Sequence, residues 1–425
     1  MAQMTIGCVD ENYNTSHRIT VETRKNSLPQ VLLILLAFCE KNIVRYAIYA
    51  LSMLPGIGFL SDYILAFLYV LLILMCINGN TKVGLSELFV PMFVIMAIVF
   101  TCVLYPQNAQ YIMDPNRFWN TIFPCLRWFI VGLVIIPDKA LMTLLGKATC
   151  IAIALETAYL LFYMVPNGLI SNDDMSRAYQ LLPHIMVAFA YAFNSKKIVP
   201  WTASIIGLLY LLSLGTRGPF LVLLVYIAFK FVIMSVATTR RKITLVLGVS
   251  LVGLLISIPD VYISMLNILY ALLTKIGVST RIVDYMIEGT IVSNTTGRDE
   301  LYAFALEKIA EKPLLGYGVY GEWQWIGWNI HNMYLEVLLH FGVILGGFLL
   351  IWLIVYTVGA FFKTKNEYAK DLLLIFICFV FIRSFYGGSY LHYATYFLIA
   401  LSIKERRRER ERKVVINRVT EGEKR

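Results

Sequence analysis

The sequence from His331 to Phe362, HNMYLEVLLHFGVILGGFLLIWLIVYTVGAFF, decides the fold. After a polar start it is almost entirely apolar, and it is longer than the roughly 20 residues that a helix needs to cross a bilayer. Similar apolar runs occur along most of the 425 residues, of which 59% are hydrophobic and only 15% are charged. An ordinary soluble domain carries about 25% charged residues. The sequence therefore predicts a polytopic membrane protein.

These apolar segments are continuous rather than alternating, which favours helices over a membrane β-barrel. We therefore expect an all-α fold, a transmembrane helix bundle of about twelve crossings. The expected crossings are residues 30–54, 60–78, 86–105, 118–136, 141–164, 179–194, 198–214, 218–236, 243–259, 331–362, 370–386 and 389–403. They divide the chain into a cytoplasmic N-terminal segment (1–29), transmembrane helices 1–9 (30–259), a large extracytoplasmic loop with short amphipathic helices (260–330), transmembrane helices 10–12 (331–403) and a basic cytoplasmic tail (404–425).

The distribution of charge predicts the orientation in the cell membrane. The formal net charge is +10, and residues 404–425 carry ten basic and five acidic side chains. The basic loops 195–200, 237–242 and 363–370 fall on the same side as this tail. Because cytoplasmic loops are enriched in Lys and Arg, both termini are predicted to be cytoplasmic and the large loop to face outside. The tail suits an anionic lipid surface better than nucleic acid, and no nucleic-acid partner is expected.

Three polar residues are predicted to lie at the outer mouth of the bundle. Arg217 lies in a tight turn between two crossings, and Arg298 is placed by the capping-box-like Thr296-Gly-Arg-Asp299 in the first turn of an amphipathic helix that Pro313 ends. His331 opens the next crossing. Taken singly, the arginine of the tight turn is more readily a snorkelling side chain, and the histidine a helix cap.

Together the three residues suit chemistry on a diphosphate. Guanidinium groups bind phosphate oxygens bidentately and stay charged, so Arg217 and Arg298 are candidate diphosphate ligands. His331 is a candidate general base, and nearby positive charge should lower its pKa and keep it neutral. The candidate supporting residues are Arg383, Asn332 and Glu336. His340 lies half a turn out of phase with His331, so no shared metal site, and no cofactor, is expected.

The order of these motifs resembles that of a known family. Thr-Arg-Gly (216–218), Thr-Gly-Arg (296–298), Pro-Leu-Leu-Gly-Tyr-Gly (313–318) and His-Asn-Met-Tyr-Leu-Glu (331–336) follow one another as in the O-antigen ligase and polysaccharide polymerase superfamily. The resemblance implies an enzyme that transfers a glycan from undecaprenyl diphosphate to a hydroxyl acceptor outside the membrane, without metal. It maps the family's two outer-loop arginines and its histidine onto Arg217, Arg298 and His331.

Several functions are compatible with this resemblance. We favour a polymerase of lipid-linked repeat units of a surface polysaccharide, O-antigen or capsule; the alternative is an O-antigen ligase that uses a lipid A core or other acceptor. Expected partners are the lipid-linked donor, a glycan or lipid acceptor, the bilayer and other polysaccharide assembly proteins. A lipid-linked glycan transporter or flippase is a hypothesis of another class, disfavoured because the chain's halves show no self-similarity. A glycosyltransferase with Asp62 as an acidic base is also disfavoured, because its loop is short.

Other features are interpreted structurally. The small-xxx-small pattern of Gly342 and Gly346 is expected to let another helix approach closely. Arg127 and Glu156, which are charges inside crossings, are expected to pair. The aromatic residues of the large loop are interpreted as an interfacial belt in preference to a platform for stacking sugar rings: Tyr317, Tyr320, Trp323, Trp325 and Trp328.

Overall fold

The computed structural model describes residues 3–5, 20–22, 26–47, 61–78, 85–169, 175–195, 197–234, 259–288, 297–385 and 387–422. Most of these residues are helical, as predicted. The described residues also include a short antiparallel β-ribbon, in which β1 (Gln3–Thr5) pairs with β2 (Thr20–Glu22). The crossing expected at 243–259 lies outside the described residues apart from Pro259, and so does the end of the first crossing after residue 47.

The helices follow the apolar runs closely. They are α1 (Leu28–Cys39), α2 (Ser61–Asn78), α3 (Leu85–Leu104), α4 (Ala109–Ile112), α5 (Pro115–Arg117), α6 (Phe123–Val134), α7 (Lys139–Tyr159), α8 (Met175–Ser195), α9 (Ile198–Ser213), α10 (Arg217–Met234), α11 (Pro259–Ile276), α12 (Arg281–Ile287), α13 (Arg298–Glu311), α14 (Met333–Lys363), α15 (Glu367–Ile377) and α16 (Tyr393–Gly422). Single π-helical turns lie at Glu40–Val44, Phe118–Ile122, Leu160–Met164 and Cys378–Ile382, and 3₁₀ turns at Pro106–Asn108, Gly321–Gln324 and Arg383–Phe385.

Glycines allow the central helices to pack closely. A Cβ at Gly132 of α6 would lie 2.7 Å from the Cβ of Ala400 in α16. A Cβ at Gly146 of α7 would lie 2.3 Å from the ring of Tyr191 in α8. Small residues at such crossings let membrane helices gain dispersion contacts where no water is left to expel. The core of the bundle is therefore built around α6, α7, α8 and α16.

Two described helices are long and apolar enough to cross a membrane, the helical segments Lys139–Met164 and Met333–Lys363. A third crossing exists if Phe89–Leu104 and Pro106–Ile112, which meet at 116°, form one broken span. The remaining apolar helices are shorter: Ile64–Cys76, Trp119–Val134, Ile198–Ser213 and Ile263–Ile276. The described part of the chain thus has up to three spans by length and composition, fewer than the twelve crossings expected from the sequence.

Large apolar side chains cover the outer faces of two helices. On α14, Ile344 is 71% exposed and Phe348 64% exposed, and on α3 Val103 is 72% exposed. In water such continuous patches would drive aggregation. In a bilayer these side chains contact lipid chains instead of water, which agrees with an integral membrane protein.

The basic tail is the continuation of a helix. The last crossing was expected to end at residue 403, but α16 runs without a break from Tyr393 to Gly422. Arg407 on this extension forms an ion pair with Glu87 of α3 at 2.6 Å. Glu405 accepts a hydrogen bond from Thr364 at 2.9 Å. The extension therefore packs against the ends of α3 and α14.

Helix α14 bends at one residue, and the segment that follows α13 packs against this bend. Gly342 has φ 76° and ψ 171°, so the helix bends there. The backbone N–H of Val343 donates to the carbonyl of Pro313 at 2.7 Å, and that of Tyr317 donates to the carbonyl of Leu339 at 2.8 Å. The expectation that Gly342 allows another helix to approach is wrong, because the backbone of Pro313 and Leu314, in the loop after α13, packs against it.

Replacing Gly342 by alanine should lower the thermal unfolding midpoint of the detergent-solubilised protein. The new Cβ would lie 2.2 Å from the carbonyl oxygen of Leu314 on a left-handed backbone, a conformation that costs about 1–3 kcal/mol in a side-chain-bearing residue. Gly347→Ala in the same helix is the matched control, because nothing lies within 4 Å of its added Cβ. Equal midpoints for both variants would contradict this role of Gly342.

The predicted pairing of Arg127 with Glu156 is wrong. Arg127 forms an ion pair with Glu40 at 2.5 Å, and Glu40 also accepts a hydrogen bond from Tyr69 at 2.7 Å. Glu156 instead accepts a hydrogen bond from Tyr210 at 3.4 Å. The π-helical turn at Glu40–Val44 extends α1 and carries Glu40 to the position of Arg127.

Candidate functional site

Arg217 is held by a turn that packs against the start of α12. Gly215 has φ 66°, and a Cβ on it would lie 2.5 Å from the hydroxyl oxygen of Ser279. The N–H of Ser279 donates to the carbonyl of Ser213 at 3.1 Å. The Arg217 guanidinium lies 4.5 Å from the ring centroid of Tyr285 in α12. Residues 277–288 thus position the first candidate arginine.

Arg298 is the first residue of α13, as predicted. The cap differs from the expected one, because the N-cap residue is Gly297 at φ 77° without a side-chain hydrogen bond, and Thr296 lies outside the described residues. The guanidinium of Arg298 donates to the sulfur of Met175 at 3.7 Å. Ala305 and Ile309 on the same helix are buried against α14, which fixes the helix over the bundle.

His331 lies just before α14, in a left-handed backbone conformation with φ 59°. Residues with a Cβ pay free energy for this conformation, and such strain is concentrated at functional sites. The hydroxyl of Tyr302 in α13 donates to the carbonyl of Phe385 at 3.0 Å and to that of His331 at 3.4 Å. Among the described residues nothing hydrogen-bonds the ring nitrogens of His331, and its side chain is exposed.

The candidate residues are linked by mutual electrostatic effects. The positive charge of Arg298 interacts electrostatically with Arg217 and with His331. The positive charge of Arg383 also interacts electrostatically with His331. The structure thus links residues from different parts of the sequence, since Arg217 and Arg298 lie 81 positions apart (298 − 217). The imidazole has one guanidinium neighbour on the outer helix α13 and another at the end of the helical segment that begins with α15.

These neighbours determine the protonation state of His331. Partial desolvation, followed by the charges of Arg298 and Arg383, lowers the pKa of His331 below its ordinary value. Both effects disfavour the imidazolium form. The neutral ring is the form that accepts a proton, and its nitrogens are accessible. The arrangement can therefore remove a proton from a bound hydroxyl group beside a bound anion.

Asn332 and Glu336, the other candidate supporting residues, contact protein groups. Asn332 is the N-cap of α14, and its side-chain oxygen accepts from the N–H groups of Tyr334 and Leu335. Glu336 is 1% exposed; it accepts from the Ser389 hydroxyl at 2.8 Å and from the N–H of Tyr390 at 3.2 Å. These contacts hold the start of α14 and the 389–390 segment in place.

A second buried polar cluster lies beneath the large loop. Glu322 pairs with Nε2 of His340, and Nδ1 of His340 lies 2.9 Å from the hydroxyl of Tyr390. Potential ligand atoms of Glu322, Glu336 and His340 lie within 4.8 Å of one another. Among the described residues this is the group whose donor atoms could hold a metal ion. It was not predicted, because it joins a loop residue, Glu322, to two residues of α14.

The aromatic residues of the large loop do not form a single belt. Tyr317 and Tyr320 are 6% and 3% exposed, whereas Trp325 and Trp328 are 42% and 56% exposed. Trp323 lies under the guanidinium of Arg117, 3.5 Å from its ring centroid. The two tyrosines therefore belong to the packed interior of the loop, and the belt interpretation is wrong for them.

Comparison with protein-family models gives a match over residues 202–351 to the family described as O-antigen ligase. The matched region begins in α9 and ends in α14, so it contains Arg217, Arg298 and His331. None of the curated proteins compared with the chain matches it.

Proposed function

We infer from the match over residues 202–351 that this chain belongs to the O-antigen ligase and polysaccharide polymerase superfamily, and on that premise we propose that it is a membrane glycosyltransferase. Its donor is a glycan on undecaprenyl diphosphate and its acceptor a hydroxyl group. The site faces outside in a multi-pass bundle of about twelve crossings with both termini cytoplasmic. The observation that supports the proposal is the electrostatic effect of Arg298 on both Arg217 and His331.

Each residue has one chemical task in this proposal. Arg217 and Arg298 bind the donor diphosphate, and His331 accepts the proton of the acceptor hydroxyl. The acceptor oxygen then forms a bond to the anomeric carbon of the donor sugar, and the bond from that carbon to the diphosphate oxygen breaks. The leaving undecaprenyl diphosphate takes the electron pair, and its developing charge is stabilised by the two arginines.

We favour polymerisation of lipid-linked repeat units over ligation. The two activities differ in the acceptor, which is another lipid-linked repeat in a polymerase and a lipid A core or other molecule in a ligase. The family description, O-antigen ligase, favours the second. The number of transfers separates them, because a polymerase gives a ladder of products from one lipid-linked repeat and a ligase gives none without its second substrate.

Turnover of a lipid-linked oligosaccharide by the protein in liposomes tests the proposal. We expect elongated product and free undecaprenyl diphosphate, and equal rates with and without a chelator, because fixed guanidinium charges replace a metal at the diphosphate. Absence of product with every acceptor offered would reject the transferase. Loss of turnover on chelation, restored by metal, would reject metal independence and direct attention to Glu322, Glu336 and His340.

The pH profile of kcat/KM should report the titration of His331. Turnover needs the neutral ring, so the rate should rise as pH increases through the His331 pKa. Because that pKa is lowered from 6.5, the half-maximal rate should lie below pH 6.5. Arg298→Ala removes one of the charges that lower the pKa, so the residual activity should have its midpoint at higher pH. Lys308→Ala, on the same helix, should leave the midpoint unchanged; an unmoved midpoint in Arg298→Ala would contradict the assignment.

A further inference from the structure

A partly open cavity of about 250 Å³, lined by both apolar and polar side chains, includes Arg383, one of the candidate supporting residues. Its lining comes from the end of α1, the start of α6, from α8, and from the segments after α15 and before α16. The polar lining residues that matter here are Glu40, Lys41, Asn120, Gln180, Arg383 and His392. The volume is below the roughly 300–1,000 Å³ of pockets for drug-sized ligands, so it suits a single small group such as one sugar ring.

Arg383 is a cation without a counter-charge among the described residues. Its guanidinium lies 4.6 Å from the ring centroid of Tyr179 and 5.3 Å from that of Phe379. Its Nε is buried and has no hydrogen-bond partner in the described part of the chain. Aromatic faces offset only part of the cost of taking a guanidinium out of water. Ionisable groups kept inside a membrane bundle at such cost usually serve a substrate path.

The rest of the lining adds to the positive charge. The one acid, Glu40, is already engaged by Arg127 at 2.5 Å and by the Tyr69 hydroxyl at 2.7 Å. Lys41 forms no ion pair with a described residue, and together with Arg383 it acts electrostatically on His392. The cavity thus has excess positive charge with no protein carboxylate left to balance it, which favours an anionic ligand.

The backbone around the cavity is irregular. The π-helical turns Glu40–Val44 and Phe118–Ile122 supply lining residues, and Cys378–Ile382 directly precedes Arg383. Insertions of this kind weaken a helix and are frequent at functional sites.

His392 is suited to donate a hydrogen bond into this cavity. Its Nδ1 accepts from the N–H of Ala394 at 3.3 Å, so in the neutral ring the proton is on Nε2. An Nε2–H group can bind an oxyanion or a sugar oxygen, but it cannot take a proton. His331, whose ring nitrogens carry no such hydrogen bond from the described residues, keeps the role of base.

We propose that this cavity is the acceptor subsite of the transferase, in which Arg383 and Lys41 bind an oxyanion, a carboxylate or phosphate, carried by the acceptor glycan. The inference rests on the proposed function. Arg298 and Arg383 are the two cations that act on His331, which matches a base placed between a donor anchor and an acceptor anchor. A sugar held at Arg383 presents a hydroxyl to His331 while the donor diphosphate occupies Arg217 and Arg298.

Binding of small probes to the full-length protein in detergent tests the subsite without turnover. The probes are methyl glucuronide, neutral methyl glucoside and inorganic phosphate, and the signal is tryptophan fluorescence, because Trp128 lines the cavity. We expect saturable binding of the glucuronide and at least tenfold weaker binding of the glucoside. Arg383→Met should weaken glucuronide binding at least tenfold, whereas Arg298→Ala should leave it unchanged. Equal glucuronide affinity in wild type and Arg383→Met would overturn the proposal.

Competition distinguishes the two sources of the oxyanion. If undecaprenyl phosphate displaces the glucuronide in Arg298→Ala, the subsite takes a phosphate of the acceptor's carrier lipid. If only inorganic phosphate and acidic sugars compete, the oxyanion belongs to the acceptor sugar. Displacement of the glucuronide by neutral methyl glucoside at equal concentration would remove the role of charge and contradict the proposal.

Stability separates a ligand-binding Arg383 from a structural one. Removing an uncompensated buried charge should leave the thermal midpoint of Arg383→Met equal to or above that of wild type. Arg406→Met is the matched control, since Arg406 also lies over a tyrosine ring, 4.1 Å from the Tyr356 centroid, but does not line the cavity. Its glucuronide affinity should be unchanged.

Two further variants cover the case in which Arg383→Met fails to fold. Arg383→Lys, which keeps the charge, should retain part of the glucuronide affinity, and Gln180→Leu should lower it without removing a charge. Lost affinity in Arg383→Lys with full affinity in Gln180→Leu would indicate that Arg383 has a structural role rather than a binding one.

In kinetics, Arg383→Met should raise the acceptor KM and leave the donor KM unchanged. Turnover with unchanged acceptor KM would reject the subsite alone, whereas glucuronide binding without any turnover would reject the transferase alone.

Discussion

His331→Asn should lower turnover of the lipid-linked donor by about 10²–10⁴-fold, the contribution typical of a positioned general base. Asparagine is among the residues that best tolerate the left-handed backbone that His331 adopts at φ 59°. This variant therefore removes the imidazole while keeping the local conformation. Turnover in liposomes, normalised to folded protein, measures the effect.

His331→Ala and the thermal midpoint complete this experiment. Alanine should lose turnover to the same extent but should also be less stable than asparagine, because it tolerates the backbone conformation less well. Donor binding should survive in both variants, since neither touches the arginines. Turnover of His331→Asn within a factor of two of wild type would remove the histidine from the chemistry.

Arg298→Ala should lower turnover by about 10²–10³-fold, the order seen when one preorganised contact to a developing charge is lost. Arg298→Lys should recover only part of it, because an ammonium group keeps the charge but lacks the guanidinium fork. Arg217→Ala should have a similar effect. The double variant should fall by less than the product of the single losses, because both arginines hold one diphosphate.

Lys308 provides the matched control for Arg298. It lies in the last turn of α13 and pairs with Glu311. Lys308→Ala removes a positive charge from the same helix, so equal losses in Lys308→Ala and Arg298→Ala would indicate an effect of general charge rather than of a specific contact. Fully multiplicative losses in the arginine double variant would indicate that the two side chains bind different groups.

The sequence located those features that local signals determine. The apolar run expected at 198–214 forms a helix, α9, Ile198–Ser213, because it is bounded by Lys197 and by the turn at Gly215, although α9 is shorter than a candidate membrane span. The position of Arg298 in the first turn of α13 also followed from local pattern, since the Thr296-Gly-Arg-Asp299 motif and Pro313 bracket an amphipathic run, although the N-cap residue is Gly297. The membership suggested by motif order is supported by the family match over residues 202–351.

The features that depend on distant packing could not be predicted. Nothing near Gly342 in the sequence indicates that the backbone at Pro313 fills its helical bend. The partners of Arg127 and His340, Glu40 and Glu322, come from other elements and depend on how far each helix is wound or bent. Arg383 could be recognised as a charge in a crossing, but its closeness to His331 required the fold.

The central claim is that one diphosphate is held by Arg217 and Arg298 beside His331, and an experimental structure with undecaprenyl diphosphate bound tests it most directly. We expect density for the two phosphates in contact with both guanidinium groups, at the roughly 2.7–2.9 Å typical of charged hydrogen bonds. The imidazole of His331 should face the first sugar position. Density for the diphosphate at another place in the bundle, with the two arginines directed away from it, would contradict the account.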